Sequence, residues 1–360
     1  MTTSNDMESK SDLLKTKMRI LYTTSKSLQK RTYQLLFSIR LQRSRSHLDT
    51  RNHSLVTTFI LFGLTEDPKW QIVIFLFLFI TYVLSITGNL TIVLLTLLDS
   101  HLKTPMYFFL QKFSILEISL TSTCIPRFLV SIVTMDKTIS VEACFTQLFA
   151  ALIFGIAQFF LLAVMSYDRY VAICKPLHYA TIMNTKVCIW LFGTCCLIAV
   201  LAICPGVIVS LSLEFCDTVI EHFICDYSPI LKLSCNDTRP IQLVNFIFAI
   251  IILLLTLALV MFSYGKIIST ILRFPSVQQQ KAAFSTCSSH MIVVSISYGS
   301  CIFMYIKPSA EERISLNKGI AILTLALAPV PNPFIYTLRN KQVKDALKDS
   351  IKKCSAATSK

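Results

Sequence analysis

The chain has 360 residues, of which 54% are hydrophobic and 15% are charged, and its formal net charge is +14. Soluble domains typically contain about 45–50% apolar and about 25% charged residues, so this composition excludes an ordinary soluble globule. The apolar surplus predicts a membrane protein.

Residues 1–51 form a basic N-terminal extension, with eleven Lys or Arg against four Asp or Glu. It contains no apolar run followed by a small-residue cleavage site, as a signal peptide would. The favoured interpretation is a disordered tail, or an upstream extension produced by a wrongly assigned start. The alternative is an amphipathic or targeting arm over the basic run 30–45.

Seven apolar runs follow, and most approach or exceed the roughly 20 residues that a membrane-spanning helix needs. They cover residues 72–98, 106–131, 144–165, 187–213, 241–268, 282–306 and 319–338. The run 106–131 is the weakest, because it carries Lys112, Glu117 and Arg127. Backbone groups in lipid must pair within their own segment. The predicted fold is therefore an all-α membrane protein, a seven-transmembrane helix bundle.

Lys and Arg in the short loops set the orientation, since they concentrate on the cytoplasmic side. The basic side carries Lys103, Arg169, Lys175, Lys186, Lys266, Arg273 and Lys281, together with the Lys-rich tail 339–360, which we expect to contain a short amphipathic helix. The opposite loops are acidic, with Glu142, Glu214, Asp217, Glu221 and Asp226 among them. We therefore predict the N-terminus outside, a receptor domain over 52–338 and a cytoplasmic C-terminus.

Four of the thirteen cysteines lie in outer, polar surroundings: Cys144, Cys216, Cys225 and Cys235. In an oxidising compartment they indicate two disulfides, and spacing alone allows three pairings. A metal site is disfavoured, because there is no paired CxxC and no nearby His cluster. Asn52 begins a glycosylation sequon on the predicted outer side.

The stretch 165–179, MSYDRYVAICKPLHY, places Asp168 and Arg169 at the cytoplasmic end of the third run. The stretches LKTPMYFFL (102–110), KAAFSTCSSH (281–290) and PVPNPFIYTLRN (329–340) follow in the order found in one family. Over residues 52 to about 352 the chain resembles the olfactory receptors, which are rhodopsin-like G-protein-coupled receptors. That resemblance implies the pairs Cys144–Cys225 and Cys216–Cys235.

The resemblance also implies a set of activation-switch residues at mid-membrane and at the cytoplasmic end of the bundle. They are Asn89, Glu117, Asp168, Arg169, Tyr170, Tyr264, Asn332, Pro333 and Tyr336. Buried ionisable groups in spans are costly and usually functional, and Pro333 frees a backbone carbonyl at a hinge. The family usually has Asp where this chain has Glu117. Because Glu has one more methylene than Asp, the resemblance does not decide whether Glu117 supports a sodium site.

Matching the chain to the family pattern places a ligand pocket in the outer half. Its residues are Ala151, Leu152, Gly155, Ile156, Asn245, Phe248, Ile252, Tyr298, Cys301, Ile302 and Tyr305. No acidic residue occurs from Cys144 to Tyr167, so nothing on the third helix pairs with a protonated amine. A small, neutral, mostly apolar volatile fits this chemistry, with a hydrogen bond from Tyr305 or Asn245 orienting it.

The resemblance implies an odorant receptor that couples to a heterotrimeric G protein of the olfactory stimulatory type and raises cAMP. Its expected location is the plasma membrane, in olfactory cilia, and its basic inner face suits an acidic protein or anionic lipids. No cofactor, metal, nucleic-acid partner or catalysis is expected, since neither HExxH nor GxSxG occurs. The alternatives are a chemoreceptor for a non-odorant molecule and, from another class, a transporter. The eight glycines and the lack of a repeat disfavour the transporter.

Overall fold

A computed structural model describes residues 56–210, 212–305, 318–319, 321–327, 329–330, 332–333, 335 and 343. The long helices are α1 (Pro68–Leu98), α2 (Pro105–Thr134), α3 (Val141–Cys174), α4 (Thr185–Ser210), α5 (Arg239–Ile271) and α6 (Val277–Tyr305). By length and composition, α1 to α5 can cross a membrane, and α6 has a shorter apolar part, Cys287–Ile302. Part of the seventh segment is described, including a π-helical turn, Leu323–Leu327. The predicted helical membrane fold is confirmed.

The helix ends differ from the apolar runs in a consistent way. Helix α3 continues through Asp168 and Arg169 to Cys174 instead of ending at Met165, and α6 begins at Val277 instead of residue 282. Hydropathy detects only the part of a helix that is apolar, whereas backbone hydrogen bonding continues into the polar ends. The helices therefore extend beyond the predicted apolar runs by nine residues at the end of α3 and five residues at the start of α6.

Local sequence signals explain where several helices start. Asp67 accepts a hydrogen bond from the Lys69 amide at the start of α1, and Ser140 accepts one from the Ala143 amide at the start of α3. Pro105 stands at the beginning of α2, where its missing amide hydrogen costs no hydrogen bond. These caps satisfy amide groups that the helix itself leaves unpaired.

Helix α3 is the centre of the bundle. It packs against α2, α4 and α5, with a smaller contact to α6, while α1 packs against α2. Ala157, Leu161 and Val171 on α3 are completely buried. Many apolar side chains of α1, α4 and α5 are exposed, such as Trp190, which is 77% exposed. Apolar surface facing outwards is what a bundle surrounded by lipid requires.

A small three-stranded sheet, absent from the prediction, lies at the outer end. Its strands are β1 (Thr58–Leu61), β2 (Thr138–Ser140) and β3 (Val219–Ile220), in the order β2-β1-β3. Strand β1 runs antiparallel to β2 and parallel to β3. Its side chains alternate between exposed and buried, and Phe59 is completely buried. The sheet joins the segment before α1 to the loops after α2 and α4.

Gly88 lies where α1 meets the seventh segment. A Cβ added to Gly88 would stand 2.9 Å from the Pro333 Cβ and 3.0 Å from its Cγ. An alanine normally stabilises a helix relative to glycine by about 1 kcal/mol. We expect Gly88→Ala to destabilise the receptor instead, because the proline ring is rigid and the backbones must separate. Gly193→Ala is the matched control, since its Cβ would meet nothing within 4 Å. Thermal unfolding of the purified variants measures the difference, and equal or higher stability for Gly88→Ala would contradict the close approach.

Candidate functional site

Two disulfides hold the loop between α4 and α5 over the outer end of the bundle. Cys144 at the start of α3 is bonded to Cys225, and Cys216 is bonded to Cys235. These are the two pairs that the family resemblance implies. Both Cys144 and Cys225 are buried. The disulfides therefore fix this loop, called the lid below (residues 212–238), at the outer end of the helix bundle.

Gln147 adds a second attachment for this lid. Its side-chain oxygen accepts a hydrogen bond from the Cys225 amide at 3.1 Å, and its nitrogen donates to the Thr123 carbonyl of α2 at 3.0 Å. His222 is buried in the same loop, with its ring stacked on Phe223. Burial lowers the pKa of His222, while the charge of Asp226 opposes that shift. The neutral imidazole therefore packs as part of the lid.

Below the lid, α3, α5 and α6 meet at Tyr298. Its ring contacts Phe159 edge-on, with 5.1 Å between centroids and an interplanar angle of 76°. Tyr298 is 3% exposed, and its hydroxyl, which interacts with Thr256 of α5, has no well-aligned hydrogen-bond partner among the described residues. Gln158 on α3 also has a buried side-chain nitrogen without such a partner. The predicted pocket includes Tyr298 but not Gln158, since a lone Gln in an apolar run carries no specific signal.

A second polar group lies between α4, α5 and the lid. A Cβ on Gly206 would lie 3.6 Å from the Tyr227 hydroxyl and 3.7 Å from the Asn245 Oδ1. Neither the Tyr227 hydroxyl nor the Asn245 Nδ2 has a well-aligned hydrogen-bond partner in the described part of the chain. Burial raises the pKa of Tyr227, with Ser210 and Asn245 opposing the shift. Tyr227 was missed because it begins the short helix Tyr227–Lys232 between α4 and α5, which is too short to give a periodic signal.

The remaining predicted pocket residues differ in how far they are buried. Ala151, Leu152 and Ile156 are partly buried on α3, as is Ile252 on α5, and a Cβ on Gly155 would meet nothing within 4 Å. Cys301 is partly buried and packs against the core. Phe248 and Ile302 are 47% and 37% exposed, so they are less enclosed than we expected. The Tyr305 side chain lies outside the described residues, as does Asn52.

Two clefts in the described part of the chain lie away from these eleven positions. One is at the outer face between the segment after β1, α1 and α2, and its space of about 420 Å³ includes open solvent. The other, about 220 Å³, lies at the inner end and is lined by Met106, Met165, Asp168, Arg169 and His290. Within the described residues, no group of three or more His, Cys, Asp or Glu is arranged to hold a metal.

At the inner end Asp168 and Arg169 form a buried ion pair. The Arg169 Nε donates to Asp168 Oδ2 at 3.0 Å, and its Nη2 contacts the same oxygen. The Tyr179 hydroxyl donates to the other carboxylate oxygen at 2.9 Å. Asp168 is 1% and Arg169 is 8% exposed. This arrangement holds the arginine against its own helix, and Tyr179 is a partner that sequence reasoning missed.

Tyr264 of α5 is held by α6. Its hydroxyl lies 2.6 Å from His290 Nδ1, and the two rings are stacked with 5.8 Å between centroids. His290 also lines the cleft beside Arg169 and is 2% exposed. Tyr170 packs against the core and lies 6.1 Å from the ring of Tyr167. Contacts of α5 and α6 thus close the inner end beside the ion pair.

A third cluster of polar side chains links α2 to the seventh segment. Asn332 donates to a carboxylate oxygen of Glu117, and both are buried. Asn89 donates to the Ser85 carbonyl at 3.1 Å on α1. Asn89 also interacts with the Glu117 carboxylate, and Glu117 Oε2 and Asn332 Oδ1 have no well-aligned hydrogen-bond partner among the described residues. These contacts join α2 to the seventh segment inside the bundle. Tyr336 lies outside the described residues.

Comparison with known proteins places the whole region in one family. A family model described as olfactory receptor matches residues 78–353. Olfactory receptor 6C2 of Homo sapiens is 58% identical over 311 residues, which cover 86% of this chain and all of the relative. Human Olfactory receptor 6C3 is 61% identical over 303 residues, covering 84% of this chain and 97% of the relative.

Proposed function

The chain belongs to the olfactory receptor family, and we propose that it detects small, neutral volatiles that carry a hydrogen-bond acceptor. It is an odorant receptor and a multi-pass protein of the plasma membrane, and coupling to a G protein is a property of its family. Residence in olfactory cilia and coupling to the olfactory stimulatory G protein are further parts of the proposal. Signalling of this kind requires helix movement and no catalytic step.

The observation that carries the ligand class is a set of unpaired donors in an apolar setting. Asn245 Nδ2, Gln158 Nε2 and the Tyr298 hydroxyl are buried without a well-aligned hydrogen-bond partner in the described structure. Each can donate a hydrogen bond, and a buried unpaired donor costs about 1–3 kcal/mol. A carbonyl or ether oxygen of an odorant would recover this energy by accepting a hydrogen bond. Burial of the odorant's apolar surface contributes about 25 cal/mol per Å² of binding free energy before the costs of association are subtracted. Aldehydes, ketones and esters therefore fit better than hydrocarbons or amines.

A cAMP reporter assay in cells tests this function. The full chain, and a form that starts at Arg51 with an added Met, would be displayed at the surface and screened against volatiles of matched size. We expect oxygenated neutral compounds to raise cAMP, with alkanes and protonated amines inactive at the same concentration. Responses only to amines or only to hydrocarbons would reject the proposed ligand class.

Asn245→Leu should separate ligand recognition from folding. The substitution keeps a similar volume and removes the unpaired amide donor, so we expect roughly tenfold lower potency for an oxygenated agonist, equivalent to about 1.4 kcal/mol. A hydrocarbon-like partial agonist of the same shape should keep its potency. The measurement is the half-maximal concentration in the cAMP assay.

Gln242→Leu, one turn earlier on α5, is the matched control. Its side-chain nitrogen already donates to Thr238 Oγ1 at 3.1 Å, so its loss should not alter the oxygenated agonist specifically. Equal effects of Asn245→Leu on both ligands would remove Asn245 from the recognition site.

The exposed inner surface supports coupling to an acidic partner. Lys103, Lys175, Lys186, Lys266, Arg273 and Lys281 are all exposed. Leu177, beside Lys175, is 94% exposed and offers an apolar contact in the same loop. A basic surface with an apolar anchor fits an acidic protein groove, since charge complementarity orients partners and apolar burial supplies affinity.

Activation in this proposal opens the inner end of the bundle. Arg169 leaves Asp168 and turns towards the G protein as α5 and α6 separate at the Tyr264–His290 contact. The Glu117–Asn332 group would exchange partners as the seventh segment moves at Pro333. Buried polar contacts of this kind can define two discrete arrangements whose populations a ligand shifts.

A further inference from the structure

Helix α2 carries a lysine inside its membrane-spanning part, beside α4. Lys112 comes seven residues after Pro105, the first residue of α2, which places it about 10 Å from the inner end of the helix at 1.5 Å per residue. Helix α2 packs against α4. The Lys112 ammonium lies 5.3 Å from the centre of the Phe108 ring and 5.8 Å from that of Phe192 on α4. These three side chains form the inner part of a seam, called the α2–α4 seam.

The side chain of Lys112 extends towards the cytoplasmic surface. Phe108 lies one turn nearer to that surface than Lys112, and the ammonium stands over its ring. Phe192 comes seven residues after Thr185, the first residue of α4, so it lies about as far from the inner end of its helix as Lys112 does. A lysine that extends along its helix in this way brings its charge towards the lipid headgroups.

The two rings do not use the hydrogen-bonding capacity of Lys112. Its ammonium carries three donors, whereas the faces of the rings attract the charge without supplying an oxygen acceptor. Within the described part of the chain, Lys112 takes part in no ion pair and no hydrogen bond. Ile115, one turn deeper on α2, and Ile189, one turn before Phe192 on α4, are exposed. Because exposed apolar side chains of a membrane bundle face lipid, an acceptor for Lys112 has to come from the membrane.

Two further lysines lie where this seam meets the cytoplasmic surface. Lys103 comes two residues before the start of α2, and Lys186 is the second residue of α4. Both are exposed, and neither belongs to an ion pair of the described residues. Lysines near the inner membrane surface attract anionic lipids. A headgroup at this seam therefore meets several cations, which favours net negative charge over a zwitterion.

We propose that the α2–α4 seam binds an anionic phospholipid of the cytoplasmic leaflet. The lipid phosphate accepts hydrogen bonds from the Lys112 ammonium, and the rest of the headgroup lies towards Lys103 and Lys186. One acyl chain packs along Ile115. This surface is separate from the outer odorant pocket, and its occupation does not depend on the proposed class of odorant.

Photolabelling of the purified full chain tests the proposal. The receptor is placed in nanodiscs of phosphatidylcholine that contain a minor fraction of phosphatidylserine with a diazirine in one acyl chain. We expect labelled peptides from α2 and α4 that include Ile115 or Phe192. Phosphatidylcholine with the same diazirine, at the same fraction, should label these peptides at least about fivefold less, because each lysine near the surface favours an anionic lipid by roughly that factor.

Substitutions of Lys112 identify the cation. Lys112→Gln removes the charge and keeps most of the stem, so we expect the preference for phosphatidylserine at these peptides to fall about fivefold. Lys112→Arg should retain the preference. Lys266→Gln is the matched control, because Lys266 is an exposed inner lysine of α5 whose ammonium also lies over a ring, 5.8 Å from the centre of Phe262. It removes the same charge and should leave labelling of the α2–α4 seam unchanged.

Each outcome supports or overturns the proposed site. Equal labelling of the α2 and α4 peptides by the two lipids in the wild-type receptor would mean that the seam holds bulk lipid only, and the proposal would be wrong. It would also be wrong if Lys112→Gln kept the full preference, or if Lys266→Gln lost as much of it. The comparison of the two lipids on the wild-type chain decides even where a variant fails to fold.

Discussion

Replacing Arg169 with alanine is expected to abolish the odorant-dependent rise in cAMP, with the signal falling to the level of untransfected cells. Arg169 is the cation at the inner cleft, and the proposed active state places it against the G protein. The substitution removes that contact and leaves Asp168 buried, with the Tyr179 hydroxyl as its remaining hydrogen-bond partner among the described residues. Removing one partner of a buried ion pair typically costs about 3–5 kcal/mol. The measurement is cAMP output at equal surface display.

Two further variants distinguish lost signalling from lost folding. Arg169→Lys keeps the charge but not the planar fork, so it should restore surface display and only part of the response. Tyr179→Phe removes one hydrogen bond that holds Asp168, and we expect higher basal cAMP. Arg239→Ala is the matched control, because Arg239 is an exposed outer arginine whose ion pair with Asp237 contributes little. A full odorant response from Arg169→Ala at normal display would contradict the switch.

Replacing Cys144 with serine is expected to remove the receptor from the cell surface and with it any odorant response. The bond to Cys225 closes a separation of 81 residues between α3 and the lid. Loss of such a bond typically costs about 2–5 kcal/mol, and a marginally stable fold has only about 5–15 kcal/mol. The Cys225 amide would also lose its fixed position on Gln147. Surface display measured by antibody, before and after heating of cells, reports this loss.

The second disulfide gives an internal comparison. Cys216 and Cys235 are separated by only 19 residues, so chain entropy predicts a smaller loss, by about 1 kcal/mol, for Cys216→Ser with Cys235→Ser. Cys204→Ser is the control, since Cys204 is a free and exposed cysteine of α4. The double variant Cys144→Ser with Cys225→Ser excludes effects of a remaining thiol. Normal display of this double variant would show that the bond does not hold the lid.

The sequence predicted most of the fold because the membrane leaves few alternatives. Runs of about 20 apolar residues become helices, since lipid supplies no partner for backbone groups. Local patterns also located Asp168, Arg169, Glu117 and Asn332, which are polar residues in or beside apolar runs. The ends of α3 and α6 were missed because hydropathy falls before the helical hydrogen bonds end.

What only the tertiary structure decided is which side chains meet across distant segments. Hydrogen bonds join Tyr179 to Asp168, Tyr264 to His290, and Lys318 to the Gly63 carbonyl. The β1–β3 sheet likewise joins three outer segments whose short strands carry almost no local signal. Apolar periodicity shows which face of a single helix avoids water, whereas these contacts depend on how several helices and loops pack together. For this reason the sequence by itself determined a membrane helix bundle with polar residues inside it, and the packing determined the partners of those residues, the lid and the outer cleft.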